Sequence, residues 1–517
     1  MKPSAARGRS RRTCTARGPG TVGPVRTVWV FGDQLNRRIG ALGAAEAGDA
    51  MVLLVESEGL IRSGRHRQRV HLVITAMRRF AAELEAAGFS VDLRRAPSLA
   101  EGLAHHRAEH RPDDVVATEP NSRAARALCE RLGVELVRSD QFLCHYTDFA
   151  VWASDRRRLR LEDFYRWNRE RLGYLMDGEA PAEGRWNWDE ENREPPPDDL
   201  SMFAEPRISE LDDLDRRVLA ELPAGLPGAE PTGLWATSRR AALARLRHFV
   251  DEVLPVFGPH EDAMTTGSWH MGHSLLSPYL HLGLLAPGEV CDLVEEAYRE
   301  GRVPIQSAEG FIRQVIGWRE YVWGLYWLWP DHVDANVLDH DRPIPPVMRG
   351  EASTGMRCVQ TVLDRLHDRA YVHHIERLMV LSNFANLYGI EPGAVMRWMW
   401  DQYIDGAEWV MVPNVMGMGL WADGGRMATK PYISGGAYID RMSDFCSGCR
   451  FDPRTRVGED ACPFTTLYWD FLARHQETLA GNHRLSRNLA AMRRLRDLDA
   501  VRDRAAQVID AVSQGRL

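Results

Sequence analysis

Short apolar runs alternate with amphipathic stretches over residues 26–140, a pattern that predicts strands separated by helices. The apolar runs predict five strands, at residues 25–31, 51–55, 90–95, 114–118 and 134–139. Helical periodicity fills residues 66–87 and 122–132. Strands that alternate with helices of this length are typical of a doubly wound parallel sheet. We therefore predict an α/β domain over residues 26–144.

Polar residues follow the first two predicted strands. Asp33 and Gln34 come after the first strand, and Glu56 comes after the second. Parallel sheets bind ligands beyond the carboxyl ends of their strands, so these three residues are binding candidates. Each of them could equally be an ordinary loop residue. No G-x-G-x-x-G sequence follows the first strand, so dinucleotide binding is not indicated.

Residues 145–235 lack this alternation and predict a long interdomain linker. Basic and aromatic residues are interleaved within it, at residues 156–171 and 185–193. Arginine can contact phosphates while tryptophan and tyrosine stack on bases, which suits the binding of a nucleic-acid backbone. A solvated helix face held by ion pairs would have the same composition, and the sequence favours neither interpretation.

From residue 236 on, apolar positions recur at helical spacing and no strand is predicted. The predicted helices span residues 239–253, 277–285, 287–300, 311–328, 356–366, 371–388 and 392–403. Residues 484–512 predict a charged amphipathic helix or a pair of helices. The predicted fold class is therefore α/β plus all-α, with a helical domain over residues 236–517.

The helix predicted at residues 371–388 carries polar side chains on an otherwise apolar face. Its end is marked by Gly389 and, just beyond, by Pro392. His374 and Arg377 lie one turn apart and therefore share that face. Burying an imidazole and a guanidinium costs free energy unless polar partners are present, so this face is a candidate site. The alternative is a core helix whose histidines have their hydrogen bonds satisfied.

Length and composition describe an ordinary globular protein of two or three domains. The chain has 517 residues, of which 44% are hydrophobic and 26% are charged. No run of eighteen apolar residues occurs, so no membrane span is predicted. The net charge of −7 does not indicate a nucleic-acid-binding protein, although a local basic face would suffice. Residues 1–25 are rich in arginine, and we interpret them as a disordered extension or an over-called start.

Three of the eight cysteines have the spacing of metal ligands. Cys446 and Cys449 form a Cys-x-x-Cys pair, and Cys462 follows directly before Pro463. Cys358 is the nearest candidate in sequence for a fourth ligand. The spacing leaves an iron–sulfur cluster, a zinc site and a redox disulfide open, and by itself it favours zinc, because structural zinc is commoner.

Several segments resemble, in the expected order, those of photolyases and cryptochromes. The matching segments are residues 258–264 and 273–280 (FAD phosphates), 311–321 (helix beside flavin and lesion), 371–379 (helix beneath the isoalloxazine ring), and Asp405 with 409–414 (loop at the ring's edge). Residues 429–434 and the four cysteines resemble one branch, the iron–sulfur bacterial cryptochromes and photolyases, or prokaryotic (6-4) photolyases. The resemblance covers residues 26–480.

The resemblance implies three cofactors. The α/β domain would hold an antenna chromophore, 6,7-dimethyl-8-ribityllumazine, near Asp33, Gln34 and Glu56. A [4Fe-4S] cluster would be bound by the four cysteines named above. The helical domain would bind FAD through Ser274, Leu275, Leu276, Ser277, Gln314, Trp318, Arg319, Arg377, Asp405, Met411 and Asn414.

The resemblance also implies light-dependent repair of (6-4) photoproducts in DNA by electron transfer from photoexcited reduced FAD. His374 stands where (6-4) enzymes carry a histidine and cyclobutane-dimer enzymes carry asparagine, so it is the expected proton donor. His373 and Tyr432 are expected to assist, since Leu378 occupies the position of a second histidine in animal enzymes. Met411 stands where photolyases usually place an asparagine against flavin N5.

Photoreduction in this family runs through a chain of aromatic side chains. Trp398 matches its proximal member, but Met399 and Ala407 are poor relays for the next steps. Trp400, Trp409 or Trp421 could substitute for them, although each is as easily explained by core packing.

The expected partner is UV-damaged DNA with the lesion flipped out of the duplex. We expect a monomer in the bacterial cytoplasm, associated with the nucleoid through DNA and not with a membrane. Two other functions stay open at this stage. One is a cryptochrome-like blue-light photoreceptor that uses the same FAD for signalling, and the other is a zinc or iron–sulfur DNA-binding protein without catalysis.

Overall fold

A five-stranded parallel sheet forms the N-terminal part of the computed structural model, which describes residues 26–517. The predicted extension at residues 1–25 lies outside this range. The strands are β1 Arg26–Val30, β2 Ala50–Ser57, β3 Ser90–Ala96, β4 Asp114–Thr118 and β5 Glu135–Val137. Their order is β3-β2-β1-β4-β5, and every neighbouring pair is parallel. The predicted doubly wound sheet is confirmed, and its strand order reverses direction at β1, where such sheets bind ligands.

Five helices accompany the sheet: α1 Gly40–Gly43, α2 Glu58–Ile61, α3 Arg67–Ala86, α4 Leu99–His110 and α5 Arg123–Arg131. Three of them start at serine N-caps, where the side chains of Ser57, Ser98 and Ser122 accept hydrogen bonds from backbone N–H groups of the first turn. The predictions missed α4. Its sequence alternates small, charged and histidine residues and has no apolar stripe, so its only strong signal is the serine cap.

The connection between the sheet and the helical region is itself folded. It contains α6 Tyr146–Ser154, α7 Leu161–Leu172, α8 Asp213–Glu221 and a short hairpin of β6 Met176–Asp177 and β7 Ala180–Pro181. Arg169 on α7 is fully buried and donates hydrogen bonds to the backbone carbonyls of Tyr174, Leu175 and Trp186. This arginine of the basic, aromatic stretch therefore holds a loop together.

Helices form the rest of the chain: α9 Arg239–His248, α10 Leu254–Phe257, α11 Ser277–Leu282, α12 Pro287–Arg299, α13 Ile305–Ile312, α14 Glu320–Leu328, α15 Arg357–Arg369, α16 Asn383–Tyr388, α17 Pro392–Gln402, α18 Glu408–Met411, α19 Gly436–Met442, α20 Pro463–Arg474, α21 Gln476–Leu479, α22 Ser486–Arg493 and α23 Leu498–Ser513. Within residues 182–517, β-pairing is limited to isolated bridges. The all-α prediction for this region is confirmed. None of the helices described is both long and apolar enough to cross a bilayer.

Four stretches of π-helix interrupt these helices in the described part of the chain: Phe249–Val253, Arg313–Arg319, Glu376–Ser382 and Val412–Gly419. A π-turn widens the helix by one residue, changes which side chains share a face and often occurs at functional sites. Three of the four carry residues predicted to bind flavin. None of the four was predicted, because apolar periodicity does not reveal a single inserted residue.

The sheet packs directly on the helical region. Leu35, just after β1, donates its N–H to the carbonyl of Leu282 at 2.8 Å, and Asn36 donates its side-chain amide to the carbonyl of Gly283 at 3.0 Å. Gly283 has φ +79°, and a Cβ there would lie 3.1 Å from the Leu35 nitrogen, so the close approach needs glycine. The carboxyl edge of the sheet is thereby placed against α11 and the loop around Asp405.

Candidate functional site

A bidentate ion pair between Arg377 and Asp405 forms the centre of the site. The two guanidinium nitrogens lie 2.9 and 3.0 Å from the carboxylate oxygens, and Ser277 at the start of α11 donates its hydroxyl to Asp405 at 2.7 Å. Burial alone would raise the pKa of Asp405, but Arg377, His281 and Ser277 outweigh it, and the pKa is lowered. An ionised Asp405 therefore fixes the guanidinium in one orientation.

The Arg377 side chain also explains why the helical backbone starts later than predicted. Its Nε donates to the carbonyl of Val372 at 2.7 Å, which takes that carbonyl out of a helical ladder. Residues 371–373 are non-helical, and the π-turn Glu376–Ser382 follows. The guanidinium carbon lies 4.2 Å above the ring of Tyr403 and 5.0 Å from that of Tyr371, so aromatic rings flank its cation.

Three histidines lie beside this pair. His273, which precedes α11, stacks on His373 with ring centroids 4.7 Å apart and planes at 14°. Burial lowers the pKa of His273 to about 3 and that of His373 far below its ordinary value. Burial and the neighbouring Arg377 lower the pKa of His374 to about 4. All three imidazoles are therefore neutral at neutral pH.

His374 differs from the other two histidines in its exposure. His373 is fully buried, whereas His374 is exposed even though protein atoms surround it densely enough to depress its pKa. A side chain with both properties lies on the wall of a recess rather than on an open surface. The predicted proton donor is thus the accessible member of the cluster, and His373 is the one that packs inside.

The predicted residues of the other two π-turns pair with polar partners. Trp318 donates its indole N–H to Asn414 at 2.9 Å, which joins the turn Arg313–Arg319 to the turn Val412–Gly419. Gln314 donates its amide to Glu261 at 3.1 Å. Burial raises the pKa of Glu261 to about 8, so this carboxyl is mostly protonated at neutral pH. Glu261 was not among the predicted site residues, although it lies in the segment 258–264, which resembles the FAD-phosphate segment of photolyases and cryptochromes.

Arg319 lies apart from Arg377. It is buried, forms an ion pair with Glu320 and stacks over Phe142 at 4.0 Å, next to the end of the sheet. Of the other predicted flavin residues, Leu275, Leu276 and Met411 are buried, and Leu275 has a φ of +57°. Ser274 accepts the backbone N–H of Leu276 at 3.4 Å. Tyr432 is 39% exposed.

A cavity of about 500 Å³ opens between the carboxyl edge of the sheet and the helical region. Asp33, Glu56, Arg69, Trp409 and Asp405 are among its lining residues. Because Asp405 also binds Arg377, the cavity adjoins the ion pair described above. Its walls are mainly apolar with a few charged groups, the composition of a small-molecule site.

The three predicted antenna residues have different surroundings. Asp33 lines the cavity, accepts a hydrogen bond from Asn121 at 3.0 Å, and has its pKa raised by burial. Glu56 lines the cavity too, but Arg78 holds its two oxygens at 2.7 and 3.0 Å. Gln34 is buried, donates to the carbonyl of Glu119 at 2.9 Å, and is absent from the lining.

The four predicted metal-ligand cysteines come together at the far side of the helical region. Cys358 lies in the first turn of α15, Cys446 and Cys449 lie on a turn before α20, and Cys462 caps α20. The pKa of the Cys358 thiol is raised by burial and then by the other three sulfurs. None of the four forms a disulfide in the described chain. A Cβ on Gly436 would lie 2.9 Å from the Cys462 sulfur, so glycine leaves room beside the thiol.

Trp398, the predicted electron-transfer residue, contacts the centre of the site through Tyr403. Its ring lies 6.5 Å from that of Tyr403 at a right angle, and Tyr403 is fully buried under Arg377. The Trp398 indole donates to the carbonyl of Met348 at 2.9 Å. A second aromatic series, in edge-to-face contact through Trp323, links Trp409 to Trp327 with centroid distances of 5.7 and 5.5 Å.

Comparison with known proteins gives consistent matches. Residues 28–227 match the family model described as deoxyribodipyrimidine photo-lyase-related protein. A protein of Agrobacterium fabrum named (6-4) photolyase is 41% identical over 489 residues, which cover 90% of this chain and 95% of that protein.

Solved structures share the fold. A bacterial class III photolyase from Agrobacterium tumefaciens superimposes with a TM-score of 0.54 at 17% identity, covering 96% of this chain and 99% of the other. A cryptochrome from Synechocystis superimposes with a TM-score of 0.52 at 14% identity, covering 77% and 83%. The sequence and the fold agree: this chain belongs to the photolyase–cryptochrome family, within its deoxyribodipyrimidine photolyase-related branch.

Proposed function

We propose that this protein repairs (6-4) pyrimidine–pyrimidone photoproducts in DNA under blue or near-ultraviolet light, with His374 as the proton donor. The observation that carries the proposal is the accessible His374 beside the Arg377–Asp405 pair. A (6-4) lesion needs a hydroxyl returned from one pyrimidine to the other, and a positioned histidine can supply the proton for that transfer. The named relative from Agrobacterium supports the same lesion class.

Proteins of this family bind FAD, and the residues around Arg377 fit such a group. The cationic guanidinium, only 20% exposed, would stabilise negative charge on a reduced flavin, and Asp405 would hold it in place. Ser274 and Ser277 at the start of α11 offer hydroxyls, and Trp318 and Asn414 offer a fixed polar edge. When bound and reduced, the flavin supplies the electron that light transfers to the lesion.

His374 requires a change of protonation for this role. A pKa of about 4 leaves its imidazole neutral in the free protein at neutral pH. A damaged DNA strand brings phosphate charge toward the recess, and a nearby negative charge favours the imidazolium form. We therefore propose that DNA binding raises the pKa of His374, so that the acid forms only when a substrate is present.

His373 would act as a positioning residue. It is fully buried, stacks on His273 and lies 3.7 Å from a Glu376 carboxylate oxygen. Tyr432 and the half-buried Trp318 would provide surfaces for the flipped lesion, because aromatic rings stack on bases.

The four cysteines would hold a [4Fe-4S] cluster. The four cysteines lie together and form no disulfide in the described chain, and the raised pKa values of the Cys358, Cys446 and Cys462 thiols mean that a cationic centre is needed to stabilise their thiolates. Iron and acid-labile sulfide should each amount to about four per chain after anaerobic purification. One zinc per chain in place of iron would overturn the assignment.

The cavity of about 500 Å³ is the proposed antenna site, with 6,7-dimethyl-8-ribityllumazine as the ligand. Asp33 is the polar residue most available to such a ligand, because Glu56 is held by Arg78. The shared residue Asp405 keeps this cavity next to the flavin site, which suits energy transfer between two chromophores.

The test is a repair assay on two oligonucleotides, one with a single (6-4) lesion and one with a single cyclobutane dimer. The flavin is first reduced chemically, and products are separated by chromatography after illumination and after a dark control. We expect the (6-4) lesion to be restored only in light, with the cyclobutane dimer unchanged. If the protein binds the (6-4) duplex and restores nothing, the proposed function is wrong.

A further inference from the structure

The segment Ala428–Ser434 carries the exposed Lys430 and is tied to the helix that follows His374. Hydrogen bonds to three residues hold this loop: the Trp421 indole donates to the Ala428 carbonyl at 2.9 Å, the Asn482 amide donates to the Thr429 carbonyl at 2.9 Å, and Asn383 accepts the N–H of Ser434 at 3.1 Å and donates its amide to the Ser434 carbonyl at 3.0 Å. Asn383 is fully buried and begins α16, directly after the π-turn that follows His374. The loop therefore has a fixed position relative to that histidine.

Lys430 projects from this fixed loop. It is exposed, two residues from the exposed Tyr432, and forms no ion pair within residues 26–517. The hydroxyl of Tyr432 lies within electrostatic reach of Asp189, Arg484, Arg193 and Asp262. The surface near Tyr432 thus carries charges of both signs, and Arg193 is already paired with Asp189, whereas Lys430 is a cation that forms no ion pair in the described chain.

Composition makes this lysine unusual. The chain has 65 basic residues, and all of them except Lys2 and Lys430 are arginine. At a solvated surface either cation serves, so a chain with this bias is expected to carry arginine wherever arginine works. A lysine at position 430 indicates a place where the planar guanidinium fork fits poorly and a compact ammonium with three donors is needed.

We propose that Lys430 binds a backbone phosphate of the damaged DNA strand, next to the nucleotide that enters the recess, and that this contact requires an ammonium group. The inference rests on the proposed function, since it takes damaged DNA as the ligand. The phosphate is the anionic group that a flipped nucleotide brings closest to the recess, and phosphate contacts fix the register of DNA without reading its sequence. Lys430 would thereby position the lesion against His374.

The first test uses the scarcity of lysine. In a Lys2→Arg variant, Lys430 is the only lysine side chain, and its acetylation by an N-hydroxysuccinimide ester can be measured by mass spectrometry. A duplex with one (6-4) lesion should slow acetylation at Lys430, while the same duplex without the lesion should slow it less. Unchanged acetylation on protein that a mobility shift shows to be bound would overturn the proposal.

The second test separates charge from shape. Lys430→Gln should lower the slope of log affinity against log salt by about 0.9, the amount expected for one lost phosphate contact. Lys430→Arg should keep the slope, because the charge remains, yet weaken binding severalfold. Arg62→Gln, which removes an exposed cation beyond the sheet, serves as the control and should change neither quantity. Lesion binding by Lys430→Arg that equals the wild type would contradict the need for an ammonium.

Repair measured on the same samples tells the two proposals apart. Light-dependent repair together with an unprotected Lys430 would refute the role of the lysine and leave the proposed function standing. Absence of repair by the wild type, with the lesion duplex bound, would refute the proposed function itself.

Discussion

The ion pair Arg377–Asp405 and the histidine pair His373–His374 are neighbours in the folded protein, yet they differ in how far their polar atoms are hydrogen-bonded. Arg377 and Asp405 are joined by two short hydrogen bonds. Asp405 also accepts a hydrogen bond from Ser277, and Arg377 donates one to the carbonyl of Val372. Neither ring nitrogen of His373 has a hydrogen bond in the described chain, and His374 is exposed at the recess. Charged groups whose hydrogen bonds are all made hold the geometry of the site, whereas the neutral, exposed imidazole of His374 remains available for a ligand.

Replacing His374 by alanine should produce the largest effect on repair. General acid catalysis contributes about 10²- to 10⁴-fold, so repair per photon absorbed should fall by that factor while flavin content stays the same. His367→Ala, which removes an exposed histidine from α15, is the matched control and should repair normally. Equal repair by His374→Ala and His367→Ala would refute the proton-donor role.

Replacing Asp405 by asparagine should disrupt the ion pair and give the next largest effect. The change leaves Arg377 without its counter-ion, and removing one partner of a buried pair costs about 3 kcal/mol or more. Urea unfolding should report that loss, and the flavin should be released more readily on gel filtration. Asp368→Asn, an exposed acid 3.6 Å from Arg369, is expected to change stability by less than about 1 kcal/mol. A stable Asp405→Asn variant that keeps its flavin would show that the ion pair is not the anchor.

The histidines should also make the fold sensitive to acid. Their folded-state pKa values, about 3 for His273 and about 4 for His374, lie below the ordinary value of 6.5. Above pH 6.5 both states are neutral and the histidines contribute nothing to the pH dependence. As the pH falls from 6.5 to 4, the unfolded chain binds protons that the folded chain excludes, so the free energy of unfolding decreases. The melting temperature should fall over this interval, and His273→Gln should flatten the fall. An unchanged slope in that variant would mean that His273 is not responsible.

The smallest expected effect concerns Trp398. Trp398→Phe should slow photoreduction of oxidised flavin severalfold, because its ring is in contact with Tyr403 under Arg377. Repair by protein reduced chemically beforehand should be unaffected. Trp327→Phe tests the second aromatic series in the same way. If only Trp327→Phe slows photoreduction, the route runs through Trp323 and Trp409 instead.

Apolar patterning predicted the architecture well, because strands and helix faces are defined by what they bury. All five strands were predicted to within a few residues, and the pattern is clearest in β1, β2 and β4, which are mainly runs of β-branched and other apolar side chains. Helix α4 was missed because its contacts with the sheet depend on tertiary packing more than on an apolar stripe. The buried Arg169 was likewise invisible, because only the folded loop supplies the carbonyls that satisfy it.

The candidate site was predicted by resemblance more than by pattern. Arg377, Asp405 and Ser277 lie in contact with one another, while Arg319 packs against Phe142 and Glu320. Helical spacing cannot foresee this arrangement, because the π-turn at Arg313–Arg319 rotates the following side chains to another face. The difference in exposure between His373 and His374 is visible only in the structure, because the two are the same residue type at adjacent positions.

Proton uptake on DNA binding would show whether His374 becomes the acid. Calorimetric titration of a (6-4) duplex into the reduced protein, in two buffers of different ionisation enthalpy, gives the number of protons bound per complex. We expect uptake near pH 7 by the wild type and by His367→Ala, and none by His374→Ala, because the bound DNA raises the pKa of that one imidazole. Equal uptake by the wild type and His374→Ala, or no uptake by either, would contradict this expectation.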